Sequence, residues 1–443
     1  MLLVMSDPIN IDNQHINSSP GSNSSYPDDE FLPTSLASEE LKLALNKEAT
    51  EEDLLKAISR CKTLILECDQ CSNERKWVVR QLIELRLRLQ ECRDAMNDPL
   101  HPRNQTNKVC KRVIKGHHLN LQPLLRHTVS KYCDHCTGTI WSMVQAWYEC
   151  EDCEYSCHHK CLASVMRDCA HVIASEKGSF EYEICPELGL SSQNYSCAEC
   201  KSPLPITAPK GISCIGRFIF PDKVWPEARR CDYTGQYYCV ACHWGSSAVI
   251  PARVIHNWDL EPQPVSQAAL QLLKITSKRP IINLAMLNPK LFSLVSKLEF
   301  VRKLREELIG MKKYLMVCRK ANEEHFLWKH VDTPHLLDNT DMYSLQDLVD
   351  IHSGDLPFKL QTISDIFSNH IKVECEICRG RGHICEICSN DEIVYPFDNT
   401  SYTCPKCFCV LHRFCLSKRN NECPKCVRIK QREDDEKFKN IVE

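Results

Sequence analysis

The chain has 443 residues, a formal net charge of −3 and an apolar fraction of 43%. That length allows about three domains, and the near-neutral charge gives no basic bias of the kind that bulk nucleic-acid binding needs. No apolar run approaches the ~18 residues of a membrane span, and the apolar start Met1 to Met5 is too short for a secretory signal, with no basic residue before Lys42.

In chain order, residues 1–34 are rich in Ser, Asn, Pro and Asp and read as a disordered tail. Residues 35–95 read as a helical hairpin. Leu54, Ile58, Cys61, Ile65 and Cys68 step by three and four, as do Val78, Leu82, Leu85, Leu89 and Cys92. Cysteines on such a stripe are expected in the hairpin's own core rather than on a metal. Residues 96–116 read as a linker with a basic run, Lys108, Lys111, Arg112 and Lys115, which is solvated or meets anionic lipid. Two cysteine-rich stretches follow, 117–170 and 180–430. Inside the second, residues 264–372 hold no C-x2-C pair and read as helices broken by Pro280, Pro289, Pro334 and Pro357. Leu294, Leu298, Val301, Leu304, Leu308, Met311 and Leu315 form the apolar stripe of one such helix. Arg302, Lys303, Arg305, Glu306 and Glu307 are expected on its wet side. Residues 431–443 are a charged tail.

The thirty cysteines are the strongest signal, because most fall in C-x2-C pairs with histidines at fixed offsets. Two thiolates on one tight turn chelate one side of a tetrahedral zinc ion, and a second pair closes the other. Such close pairs chelate more readily than they cross-link, so zinc in a reducing compartment is expected rather than a disulfide framework.

From Cys133 the chain runs C-x2-C-x13-C-x2-C-x4-H-x2-C-x7-C, through Cys136, Cys150, Cys153, His158, Cys161 and Cys169. This resembles the protein kinase C type of diacylglycerol-binding finger, a small sheet around two interleaved zinc ions. The resemblance implies that Cys133, Cys136, His158 and Cys161 hold one ion. Cys150, Cys153 and Cys169 hold the other with an upstream histidine, for which His127 in the string LLRH is favoured over His118. Cys157 and His159 lie off the pattern. In lipid-responsive fingers a Gln-Gly pair shapes the groove; here Ala146 and Trp147 stand at those positions. Ile140, Trp141, Met143 and Val144 either build the finger's own core or touch a bilayer interface.

Further on, Cys185, Cys197, Cys200, Cys231, Cys239 and Cys242 are ligand candidates, joined by the distant pair Cys375 and Cys378. The run Cys385, Cys388, Cys404, Cys407, His412, Cys415, Cys423 and Cys426 has the order of a cross-brace. Cys385, Cys388, His412 and Cys415 then make one site, and Cys404, Cys407, Cys423 and Cys426 the other. The remaining eight cysteines would fill two more sites if Cys375 and Cys378 fold back onto the first half, leaving 264–372 as a helical insertion. The expected total is about six structural ions. His243, His256 and His370 are reserves, each more often a satisfied histidine than a ligand. Cys409 is expected in packing, Cys214 lies in an apparent 205–225 insertion, and Cys110 and Cys318 carry no partner signal.

The strings CDYTGQYYC, CHW, AVIPARVIHNWD and the terminal cysteine block resemble the Rubicon-homology domain. The expected architecture is α+β: small multi-zinc modules, a kinase-C-type finger and a Rubicon-homology zinc domain behind a helical hairpin. The resemblance implies a non-enzymatic adaptor, peripheral on late endosomes and lysosomes. It would bind a GTP-loaded late-endosomal Rab GTPase and other lysosomal adaptors, and act in lysosome positioning. No P-loop, dinucleotide fingerprint or hydrolase elbow points to an enzyme. The rival is a cross-brace ubiquitin ligase or chromatin reader. Histidine is the fifth ligand here, unlike in a RING, and Asn421 stands where a plant-homeodomain finger has tryptophan.

Overall fold

Two units make up the chain, Met1–Asp98 and Pro99–Glu443. The computed structural model describes residues 41, 44, 49–104, 111–124, 131–178, 180–204, 228–388, 390 and 392–442. The tail 1–34, the 205–225 insertion, Cys110, His127 and Cys214 lie outside these described residues.

The first unit is built on α1 (Glu51–Glu67) and α2 (Asn73–Asn97). Thr50 opens α1 with a capping box: its hydroxyl accepts from the Asp53 amide while the Asp53 carboxylate accepts from the Thr50 amide. Of the expected stripes, Leu54, Ile58 and Cys61 meet Val78, Leu82, Leu85 and Leu89 in one core; Leu64 is buried there in place of Ile65, which with Cys92 packs at its edge, and Cys68 lies outside it. Cys61 is fully buried there.

The finger opens with a hairpin, β1 (Lys111–Ile114) and β2 (His117–Leu121), turned at Lys115–Gly116 with φ of +51° and +77°. A β-carbon at Gly116 would sit 2.7 Å from Val172 Cγ2, so both dihedral and space demand glycine. The strand β1 begins inside the stretch read as a linker, which therefore ends earlier than expected. After the short pair β3 (Lys131–Tyr132) and β4 (Thr139–Ile140), β5 (Trp147–Cys150) and β6 (Ser156–His158) complete an antiparallel sheet of order β1-β2-β5-β6. Leu119, Ile140, Trp147, Tyr148, Tyr155 and Leu162 fill its core together with the zinc-motif cysteines. Ile140 and Val144 are buried and Trp141 and Met143 half-buried, so the first two serve the finger's packing and are not presented to a bilayer.

A helix at the finger's end, α3 (Ala170–Lys177), packs on α4 (Gln267–Thr276) of the following region. Arg167 closes this joint. Its Nε donates to Glu199 at 2.6 Å, and Nη1 donates to Asp134 at 3.2 Å and to Gln271 at 3.2 Å. Gln271 also donates to Asp134, and the Tyr132 ring meets Trp244 edge-on. Only 5% of the Arg167 side chain is exposed, and burial pushes the Asp134 carboxyl above its usual range despite the guanidinium. The joint is thus a desolvated ion network, in which each charge needs its partners.

Two short antiparallel pairs follow, the hairpin of β7 (Arg229–Arg230) with β8 (Tyr237–Tyr238), and β9 (Ser247–Ala248) with β10 (Gln263–Pro264), which are joined through the helix Pro251–Asn257. The large core then gathers on α5 (Ser296–Leu315), which buries Leu298, Val301, Leu304, Leu308, Met311 and Leu315. Leu294 lies before the helix and is exposed. Arg305 corrects the expected wet side: it is fully buried. Its guanidinium donates to the Leu336, His335, Asn339 and Met342 carbonyls and lies over the Tyr343 ring. The Nε and Nη2 donors of one buried guanidinium thus gather four carbonyls of the 335–342 loop. The helices α6 (Leu345–Ser353) and α7 (Asp355–Asn369) pack on α5, and β11 (Ile282–Asn283) pairs with β12 (Met342–Tyr343). The terminal module carries β13 (His383–Ile384) with β14 (Ile393–Val394), β15 (Ser401–Thr403) with β16 (Val410–His412), and α8 (Pro424–Val442). The architecture is α+β, as small modules around Cys/His clusters.

Replacing Arg167 with leucine strands Asp134 and Glu199 beside hydrocarbon. The urea midpoint of the Pro99–Glu443 unit, followed by tryptophan fluorescence, should fall by an amount equivalent to about 3 to 5 kcal/mol. An unchanged midpoint would mean the joint carries no stability.

Candidate metal centres

The finger's first set comprises Cys133, Cys136, His158 and Cys161. The turn at Cys133 is tight: its amide donates to the Gly138 carbonyl, and the Thr137 amide donates back to the Cys133 carbonyl. Strand β6 ends at His158, whose Nδ1 lies 3.4 Å from Cys136 Sγ and 3.9 Å from Cys161 Sγ. The other ring nitrogen faces the Thr139 carbonyl at 3.2 Å. That contact leaves Nδ1 free to ligate, the outer-shell arrangement of a metal-bound histidine.

The second set brings Cys150, Cys153 and Cys169 to His117, a residue the sequence reading passed over. His117 Nδ1 is 3.2 Å from Cys153 Sγ and Nε2 is 3.1 Å from the Arg167 carbonyl. Strand alternation explains the choice. His117 points into the finger and is fully buried, whereas His118 faces outward and pairs with Asp152 at 2.6 Å. His127 lies outside the described residues, and the upstream position expected for it is filled here by His117. The Lys115–Gly116 turn sets that register and was the available signal.

The third set is Cys197, Cys200, Cys239 and Cys242. Cys200 and Cys239 have their sulfurs 3.6 Å apart, and the Cys239 amide donates to Cys197 Sγ.

Cys375 and Cys378 do not fold back onto Cys185 and Cys231, which corrects the expected partition of eight cysteines. They meet Cys318 and His370, all four buried. Cys318 Sγ lies 3.6 Å from Cys375 Sγ and 3.7 Å from His370 Nε2. The last turn of α7 widens into a π-helical stretch, His370–Glu374, whose Cys375 amide donates to the His370 carbonyl at 2.9 Å. The extra residue in that turn swings both ligands to one side, a common use of π turns at functional sites. The helical region is therefore core framework, stapled to itself, rather than a passive insertion. Cys185 and Cys231 stay outside this set. Of the reserves, His243 is a satisfied core histidine, with Nε2 at the Arg230 carbonyl and Nδ1 accepting from the Gly245 amide. His256 lies 2.8 Å from the Tyr182 carbonyl.

In the terminal module Cys385, Cys388, His412 and Cys415 gather, with His412 Nδ1 3.4 Å from Cys388 Sγ and 3.8 Å from Cys415 Sγ. Cys404 and Cys426 are 3.6 Å apart, and Cys407 and Cys423 3.5 Å.

These distances suit a zinc ion. Tetrahedral bonds of ~2.3 Å place two sulfurs ~3.8 Å apart. Each set offers four side-chain donors of thiolate and imidazole type. That is the donor set of a structural ion, which would fix the turns rather than activate water. Protonation tells the same story. The Cys161 thiol holds the Cys133 sulfur down to about 3, while the same contact raises Cys161. Cys150 and Cys153 divide in the same way, as do Cys197 and Cys242. Sulfurs this close cannot all ionise without a cation among them.

Comparison with known proteins identifies two families along the chain. Residues 125–172 match the phorbol esters/diacylglycerol binding domain (C1 domain) family, and residues 229–431 match the Rubicon Homology Domain family. The chain is 40% identical over 410 residues to the Differentially expressed in FDCP 8 homolog of Drosophila melanogaster, covering 90% of this chain and 80% of that protein. The Caenorhabditis elegans protein of the same name is 35% identical over 326 residues, 72% of this chain and 64% of that one. Pleckstrin homology domain-containing family M member 3 of Homo sapiens is 33% identical over 253 residues, but only 31% of its length is covered.

His117→Ala should cost one zinc equivalent in native mass spectrometry, whereas His118→Ala should cost none. A full complement in the His117 variant, with loss in a His127 variant, would reverse the assignment. Cys318→Ser should likewise shed one ion and, by leaving a buried cluster uncompensated, lower the thermal midpoint by several degrees.

Proposed function

The chain belongs to the family of Differentially expressed in FDCP 8 homologs, and from that premise we propose a non-enzymatic, zinc-stapled adaptor of the endolysosomal system. It binds a late-endosomal Rab GTPase in its GTP-loaded state and couples lysosomes to other adaptors, regulating their position. Its place is the cytoplasmic face of late endosomes and lysosomes, as a peripheral protein. Among the described residues no helix is long and apolar enough to cross a membrane.

The observation that carries this reading is what the ligand sets hold in place. Closed sets leave no reactive position, yet the terminal module displays large apolar side chains on the ligand turns themselves. Phe408 follows Cys407 and is 74% exposed; Phe414 sits between His412 and Cys415 and is 68% exposed; Ile384 precedes Cys385. A side chain fixed by a metal turn loses little conformational freedom on binding, which favours it as an interface anchor. Aromatic anchors on a rigid frame suit the apolar surface that an active GTPase presents, and supply no chemistry for ubiquitin transfer. The family resemblance of the C-terminal region, rather than any single residue, supplies the choice of Rab.

Pulldown of the full chain with GTP- and GDP-loaded late-endosomal Rab tests the reading. Retention should favour the GTP form by tenfold or more, and a Phe408→Ser/Phe414→Ser double variant with an unchanged zinc count should lose most of it. Equal binding to both nucleotide states, or none, would refute the assignment.

A further inference from the structure

Four of the ligand-bearing turns share one backbone signature. The amide of the first cysteine donates to the carbonyl five residues on, and the amide four residues on donates back to the first carbonyl. At Cys133 the partners are Gly138 and Thr137, at Cys150 Tyr155 and Glu154, at Cys197 Ser202 and Lys201, and at Cys404 Cys409 and Phe408. In each, the residue after the second ligand is left-handed: Thr137 at φ +59°, Glu154 at +62°, Lys201 at +59° and Phe408 at +56°.

A further turn repeats every feature. The Cys231 amide donates to the Gln236 carbonyl at 2.8 Å, the Gly235 amide donates to the Cys231 carbonyl at 2.8 Å, and Gly235 has φ +69°. Only the second sulfur is missing. Thr234 stands where the other turns have Cys136, Cys153, Cys200 and Cys407, and its hydroxyl is engaged with the Tyr238 hydroxyl at 3.2 Å. Another cysteine is clamped over this turn. The Leu188 amide donates to the Gly235 carbonyl at 3.2 Å, and Glu187 pairs with Arg230. A β-carbon on Gly235 would lie 3.4 Å from Cys185 Cβ and 2.2 Å from the Pro186 carbonyl oxygen, so no side chain separates the two segments. Cys231 is fully buried and Cys185 half-buried, and neither belongs to the six sets described above.

We propose that the Cys231 turn is a metal knuckle lacking its second sulfur, and that Cys231 and Cys185 form a two-thiolate site for a thiophilic monovalent ion of the Cu(I) class. Two sulfurs alone leave half of zinc's tetrahedron unfilled, whereas a soft ion of low coordination number is satisfied by them. Binding releases the two thiol protons and involves no change of oxidation state. The site lies at the β7–β8 hairpin, and its Cys231 turn differs from the Cys197 turn of the third set in carrying Thr234 where that turn carries Cys200.

The test uses the zinc-loaded full chain and Cu(I) buffered by a competing chromophoric chelator. The wild type should take up one equivalent before any zinc is released, and the Cys185→Ser/Cys231→Ser variant should lose that equivalent while keeping its zinc. Thr234→Cys supplies a third thiolate and should gain one zinc ion over wild type by native mass spectrometry. The second arm decides the matter should the double variant fail to fold. Equal Cu(I) uptake by wild type and a zinc-complete double variant would overturn the proposal, as would a folded Thr234→Cys protein with no added zinc.

Discussion

Crowded sulfur is the constraint on which this structure rests. Along the chain, turns bring thiols and imidazoles to within about 3.5 Å of one another, several with no solvent access. As thiolates such groups repel, and as thiols they cannot satisfy each other's geometry. A divalent cation among them would convert that repulsion into four strong bonds, separately in each module. The strands here are two to five residues long, too short to hold their own registers without such pins.

The modules are nevertheless not beads on a string. Arg167 is on the finger, yet its partners Glu199 and Gln271 belong to the region beyond it. Its backbone carbonyl also accepts from, or faces, the imidazole of the ligand His117. One residue therefore supports the second zinc set from behind and fastens the finger to the helical region in front. A change at that joint should be felt both by the metal set and by the neighbouring helices, and the finger's orientation on the Rubicon-homology region is fixed within the Pro99–Glu443 unit. This distinguishes the arrangement from a freely tethered lipid-sensing finger. Its buried Ile140 and Val144 point the same way.

Much of this was legible in the cysteine spacing, because a C-x2-C turn is a local object that its own residues specify. The finger, the Rubicon-homology region and the α5 stripe all follow from short-range pattern. What escaped the sequence is what depends on long-range closure. His117 and His118 are adjacent, and only the hairpin register decides which turns inward. Cys318 has no nearby partner and reaches Cys375 across 57 residues, guided by the packing of α5 and α7. The π turn that aims His370 leaves no compositional trace. Arg305 reads as one more charge on a wet face until the carbonyls of the 335–342 loop are seen to need it. Cys318 and His370 stand in one ligand set with Cys375 and Cys378, where the sequence had offered Cys185 and Cys231.

Hydrogen–deuterium exchange of the native protein before and after stripping its metal with a strong chelator is the most direct trial of this account. Protection should collapse across 111–176 and 375–426 while the α1–α2 hairpin, held by its own leucine-rich core, keeps its slow amides. Undiminished protection of the finger and terminal module in the metal-free chain would contradict it.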